Sequence, residues 1–393
     1  MTTARQTLRS HRIADVKTFI VAGARWGWVI VKIETEHGLH GVGEASLEGR
    51  ERSIAATVAE LRRYLLGKNP SDITRHLFGL YREPIWSGGP ILQCAISGIE
   101  MALWDLKAKM LEVPLYELLG GRMRGELRLY ANAWWYQGGT PDDVARAAKA
   151  TVDQGFFGLK FNPFNRQPDT EPFYLSPAVL ATGVDYVAAV REAIGPDVDL
   201  FVDLNAAFMN IGDALRVAKA LEPFSLGFIE EPLAQENHDQ LAALRSRTTI
   251  PIATGERLFS AFEFHNLLRA GGADIVQPDL CHCGGLDAAR KIAALAEACY
   301  VPVAPHNPNG PVCESASAHL AVSIPNFGLL EHFPAEPWRS EVVGSPYEVS
   351  GGVLRLVERP GLGIDFDEDA ALARPYESKD IADFHERNFT GSA

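Results

Sequence analysis

Cysteine is scarce: five residues in a chain of 393, an odd number scattered through strand-like and helix-like segments. That excludes a disulfide framework and points to reduced thiols in a reducing compartment, so a cytoplasmic location is expected. An excess of positive charge is also lacking. Fifty acidic residues against 37 basic ones give a net charge of −13, which argues against nucleic acid and against an anionic membrane surface as partners. It leaves an acidic substrate open, because a bound cation reverses the field locally. No apolar run is long enough to span a bilayer. No apolar core follows the basic stretch MTTARQTLRSHRIADVK, so no signal peptide is expected. Low-complexity tracts are absent. The glycine pairs fit neither a P-loop nor a dinucleotide fingerprint. Cys281-His282-Cys283 lacks CxxC spacing and has no second pair, so it does not read as a zinc site.

What is present is a repeat. From FVDLNAAF onward, a polar residue closes one apolar run after another: Asp203, Glu230, Glu256, Asp279, His306 and Glu331. The interval is roughly 25 residues, the length of one βα unit. Two more runs, LRLYANAWW at 127–135 and FGLKFNPF at 157–164, precede them and bring the strands to eight. Strand ends in a closed parallel barrel converge on one face, so one site assembled from several strands is expected. The last unit reads as incomplete.

The first part of the chain has a different order. VIVKIETEHGLHGVGEAS is a hairpin turning at Glu36–Gly38, and helical patterns follow at 51–66, 71–82 and 91–111. Strands followed by helices make an α+β unit. The expected domains are therefore 1–126, an α+β cap; 127–345, the barrel; and 346–393, a tail returning to the cap.

Asp203, Glu230 and Glu256 are hard oxygen donors on successive strands, which favours Mg²⁺ over Zn²⁺. Strand alternation turns Glu230 and Glu231 opposite ways and does not by itself decide between them. His306 has Asp279 one strand away, a partner able to raise the imidazole's basicity. Lys160 ends the second strand and can neutralise a substrate carboxylate, or act as a base if its pKa falls, with Asn162 on the same side. Near a bound anion, Glu331 would keep its proton and donate a hydrogen bond to developing oxyanion charge. Trp134, Trp135 and Tyr136 either line a pocket or pack the barrel mouth.

With KIETEHGLHGVGEASLEGR, GLKFN, IEEP, GERLFS, QPDLCHCGG and APHNPNGP in view, the chain resembles the mandelate racemase subgroup of the enolase superfamily. Among its members, the sugar-acid dehydratases related to D-galactonate dehydratase are most similar. The resemblance implies a modified TIM barrel, (β/α)7β, an α/β barrel with an α+β capping domain formed by the N-terminal segment and the C-terminal tail. It implies metal ligands at Asp203, Glu230 and Glu256, a His306–Asp279 base dyad, an electrophilic carboxyl at Glu331, and substrate contacts at Asn162, Asn205 and Arg257. The implied reaction is Mg²⁺-assisted removal of the proton α to a sugar-acid carboxylate and loss of the β-hydroxyl, giving a 2-keto-3-deoxy acid. A homo-oligomer acting on a small acid sugar is expected.

The chain also departs from the resemblance in two places. The racemases carry Lys-x-Lys on strand two, where this chain has Asn162 in the second position. The galactonate dehydratases carry a histidine two residues after the strand-three ligand, where this chain has Asn205. A cycloisomerase or epimerase of a related acid or lactone, and a non-catalytic binder, are the competing readings. Substrate choice is expected to lie in loops near Arg25–Trp28, Glu48–Arg50 and Trp86–Gly89, and at 165–176.

Overall fold

The computed structural model describes residues 4–23, 26–164, 173–333 and 336–377. Three antiparallel strands, β1 (Ile13–Ala22), β2 (Gly27–Thr35) and β3 (His40–Glu44), form the cap sheet. The hairpin turn falls between β2 and β3, where Gly38 takes a left-handed φ of 80°. Helices Glu51–Leu65, Ile73–Tyr81 and Pro90–Met110 follow. The last of these starts on a proline, whose missing N–H costs nothing in a first turn. It is buried over most of its surface because it lies between the cap sheet and the barrel. Its close approach to β3 requires glycine: a Cβ on Gly43 would stand 2.0 Å from the Gly98 carbonyl oxygen, and one on Gly41 would stand 2.2 Å from that of Ala102.

The second sheet is parallel and closes on itself. Its strands run β4 (Leu127–Ala131), β5 (Gly158–Phe161), β6 (Asp199–Asp203), β7 (Phe228–Glu230), β8 (Ile252–Thr254) and β9 (Ile275–Val276) in spatial order. Bridges from Val276 to Val303 and from Val303 to Phe327 carry the pairing on, and β10 (Leu330–His332) pairs with β4. The strands are shorter than their apolar runs, and the seventh is reduced to isolated bridges. The polar ends of the runs leave the ladder to build the mouth of the barrel.

Inside, the side-chain period of two fixes the layout. Tyr130, Phe201, Phe228 and Ala253 form an interior cluster, with the Phe201 and Phe228 rings stacked at 4.2 Å. Asp203 and Glu230 lie two residues beyond the two phenylalanines, so they point inward above this aromatic floor.

After β10 the tail divides its contacts. β11 (Tyr347–Ser350) and β12 (Val353–Leu356) form a hairpin, and β12 pairs antiparallel with β4. Beyond them the chain meets the cap. Leu362 N–H donates to Asp105 at 2.7 Å, Lys32 pairs with Glu368, and Ala22 N–H donates to the Arg374 carbonyl at 2.8 Å. Among the described residues no helix is long and apolar enough to cross a membrane.

Candidate active site

The barrel mouth gathers the strand-end residues into one buried polar cluster. Asp203 and Glu230 are register partners on β6 and β7. Lys160, from β5, has no exposure and sits among the acids, its Nζ 2.5 Å from Glu230, 2.8 Å from Glu331 and 3.5 Å from Asp203. Burial opposes its charge, but Glu230 and Glu331 outweigh burial and hold the ammonium protonated well above its ordinary range. Gln277 donates to the other oxygen of Glu230 at 2.6 Å. Burial nevertheless pushes the Asp203 and Glu230 carboxyls upward, against the pull of Lys160.

Glu231, which the sequence set beside Glu230 as an alternative, is buried with it. Alternation turns it away from Glu230, yet both are fully buried in the same cluster. Glu231 has a left-handed φ of 41°, so the chain leaves the strand there and alternation no longer applies. Arg257 Nε lies 2.9 Å from Glu231 Oε2 and 3.3 Å from Glu256 Oε1, and its Nη2 donates to the Asn205 carbonyl at 3.2 Å. Burial and the nearby Glu256 charge push the Glu231 carboxyl well up.

His306 and Asp279 are bridge partners on neighbouring strand ends, and His306 Nδ1 lies 2.9 Å from Asp279 Oδ2. A carboxylate on Nδ1 fixes the tautomer and leaves Nε2 as the working nitrogen. Nε2 is 3.3 Å from Glu256 Oε2. Burial disfavours a charged ring, but Glu256 and Asp279 overcome it and raise the pKa well above the usual value. The same pairing, with Arg257 and Lys160, brings Glu256 down to about 2 despite burial.

In the free site Glu331 is ringed by donors; the expectation of a proton held near a bound anion concerns the occupied site. Glu331 accepts from Lys160, from Asn132 Nδ2 at 2.8 Å and from the Asn307 N–H at 2.8 Å. Burial alone would raise its pKa; Lys160 and His306 bring it below the ordinary carboxylate value.

Asn162 and Asn205 face each other, Asn162 Nδ2 donating to Asn205 Oδ1 at 2.8 Å. Trp135 is buried in the main core and Trp134 packs on Phe161, its ring 5.6 Å away. Of the loops expected to choose the substrate, Arg25 and residues 165–172 lie outside the described residues.

Sequence reasoning missed Gln277, Asn132 and Glu44. Gln277 was within reach of alternation, since it precedes Asp279 by two on one strand. Glu44 was not, because its role crosses domains: its carboxylate accepts from the backbone N–H of Gly310 at 2.7 Å and of Cys313 at 2.9 Å. These groups start the helix Pro311–Ser323, directly after the His306 loop.

The residues present suit a divalent cation bound by oxygen. Six buried carboxylates (Asp203, Glu230, Glu231, Glu256, Asp279 and Glu331) face two permanent cations, Lys160 and Arg257, and the imidazoles of His306 and His282. Glu256 Oε2 and both Glu231 oxygens accept no hydrogen bond. Buried carboxylates that outnumber the permanent cations around them are costly to ionise without a further counter-ion. Glu230, Glu256 and His306 offer donor atoms within 4.8 Å of one another, while Lys160 occupies the space between Asp203 and Glu230.

Residues 4–120 match the mandelate racemase/muconate lactonizing enzyme N-terminal domain, and residues 143–370 match the enolase C-terminal domain-like family. The chain belongs to the mandelate racemase subgroup of the enolase superfamily. Enzymes of this superfamily bind a metal ion, in keeping with the acid cluster. A D-galactonate dehydratase of Ralstonia pickettii (strain 12J) is 39% identical over 360 residues, covering 90% of this chain and 92% of that protein. One from Klebsiella pneumoniae (strain 342) is 37% identical over 352 residues, covering 88% and 90%. Among solved structures, a mandelate racemase/muconate lactonizing enzyme from Sulfitobacter sp. is 31% identical with a TM-score of 0.86, covering 94% of this chain and 96% of its own. An enolase superfamily member from Salmonella Typhimurium gives 0.88 at 28% identity, covering 93% and 98%. The (β/α)7β barrel with its cap is thus the family's fold.

Proposed function

We propose that this chain is a magnesium-dependent dehydratase of a sugar acid, galactonate-like, that forms a 2-keto-3-deoxy acid. The observation that carries the reading is the His306–Asp279 pair set against the buried acids and Lys160 at the mouth of a barrel whose relatives are named D-galactonate dehydratase. Asp203, Glu230 and Glu256 would hold the ion, and Lys160 shares Asp203 and Glu230 with it, so the two compete for the same oxygens. When bound, the ion supplies positive charge opposite the substrate carboxylate, where negative charge builds as the α-proton leaves.

In its neutral form His306 removes that proton through Nε2, with Asp279 on Nδ1 fixing the ring and stabilising the charge it gains. The β-carbon–oxygen bond then breaks, the hydroxyl leaves as water, and the resulting enol becomes the 2-keto acid. The leaving hydroxyl needs a proton. Asn162 and Asn205 form an amide pair, and an amide is no general acid. His306 therefore returns the proton it took, on the same face of the substrate. The same amide pair leaves the second face without a base, which speaks against epimerisation. Asn162, Asn205 and the partly exposed Arg257 would meet the sugar hydroxyls.

A panel of acid sugars incubated with Mg²⁺ in D₂O tests this. The expected result is a product lighter by one water, with a keto carbon by NMR, absent in His306→Asn. Deuterium uptake or isomerisation with no loss of water would replace dehydration with an epimerase or cycloisomerase.

A further inference from the structure

Four of the five cysteines are buried. Two of them, Cys281 and Cys313, lie close to Asp279. We propose that Asp279, Cys281 and Cys313 form a second cation site, selective for a thiophilic divalent ion such as Zn²⁺ or Cd²⁺, whose occupancy withdraws Asp279 from His306.

The site is assembled only by the fold. Cys281 lies in the turn after Asp279, and its backbone N–H donates to Asp279 Oδ1 at 2.7 Å. Cys313 comes from the first turn of helix Pro311–Ser323. One carboxylate oxygen and the two sulfurs lie within 4.8 Å of one another, and all three residues have no exposure. A tetrahedral zinc with bonds near 2.0–2.3 Å places its ligand atoms roughly 3.3–3.8 Å apart, so a small inward closure completes the set. Asn309 stands beside it, its Nδ2 2.7 Å from Asp279 Oδ2 and 3.7 Å from Cys313 Sγ, a neighbour able to yield a fourth position to water. Cys283, two residues on from Cys281, directs its sulfur to the Gly285 carbonyl at 3.8 Å.

Two thiolates with one carboxylate are a soft, charged donor set, unlike the all-oxygen set at Asp203, Glu230 and Glu256. Mg²⁺ therefore does not compete for it. Binding releases the two thiol protons to solvent and changes no oxidation state. Asp279 Oδ2 is also the acceptor for His306 Nδ1 at 2.9 Å, so an ion drawing on this carboxylate weakens the hold on the base. That inhibitory consequence rests on the proposed role of His306; binding itself does not.

The test uses Mg²⁺-loaded protein carrying Cys299→Ser, which removes the exposed thiol, titrated with Cd²⁺. The expected result is a thiolate-to-cadmium absorption band that saturates at one equivalent. Cys281→Ser and Cys313→Ser should each weaken it by at least about tenfold. Cys94→Ser, equally buried but outside the set, and Glu256→Gln should keep it. Turnover should fall in step with the band and return when Cd²⁺ is chelated and Mg²⁺ is resupplied in excess. No band, or a band unaffected by both serine variants, overturns the site. A full band with unchanged turnover overturns the coupling to His306.

Discussion

Removing the metal should measurably weaken the fold. The cluster holds six buried carboxylates against two permanent cations, and Glu256 Oε2 and both Glu231 oxygens accept no hydrogen bond. An ion that binds only the folded chain, at a hundred times its Kd, stabilises by about 2.7 kcal/mol. With an unfolding entropy of about 2.1 cal/mol/K per residue, 393 residues give about 0.8 kcal/mol/K. The melting temperature should then rise by about 3 °C from EDTA-treated to Mg²⁺-saturated protein. Scanning fluorimetry with sodium chloride at matched ionic strength separates site binding from screening, which acts on exposed charges only. Glu256→Gln should lose most of the shift. Equal melting in Mg²⁺ and in the salt control, or a full shift in Glu256→Gln, would refute the assignment of this cluster to a cation.

Three further outcomes follow from other contacts. Lys160→Met leaves Asp203, Glu230 and Glu331 without their shared cation; it should cost about 3–5 kcal/mol in metal-free protein and enlarge the Mg²⁺ shift, read by denaturant titration with and without the ion. Glu44→Gln keeps an acceptor but loses the charge that two helix-start N–H groups point at; it should lower kcat more than it raises KM and cost about 1–2 kcal/mol of stability. His319 is buried against Tyr116, accepts its backbone N–H on Nδ1 at 3.2 Å, and is pushed by burial from 6.5 to about 3. The folded state therefore keeps it neutral while the unfolded chain binds a proton, so its contribution is complete above the unfolded value and is lost as pH falls. Near pH 5 the loss should be about 2 kcal/mol, and His319→Leu should flatten that part of the stability–pH curve.

The sequence determined the architecture because that is a periodic property, and the same period brings the candidate polar residues to the strand ends. Apolar runs at a βα interval, each closed by a polar residue, specify parallel strands and place Lys160, Asp203, Glu230, Glu256, Asp279, His306 and Glu331 at strand ends whatever the packing. It failed where the backbone leaves regular geometry or where partners come from far away. Glu231 joins the acids because its φ is positive, which alternation does not anticipate. The donors around Glu331 are set by Lys160, Asn132 and Asn307, which converge on it from three other segments. Glu44 reaches the His306 loop only once the cap sits on the barrel. Local pattern fixes which residues arrive at the mouth; charge state and hydrogen bonding depend on distances between segments, and only the tertiary structure decides those.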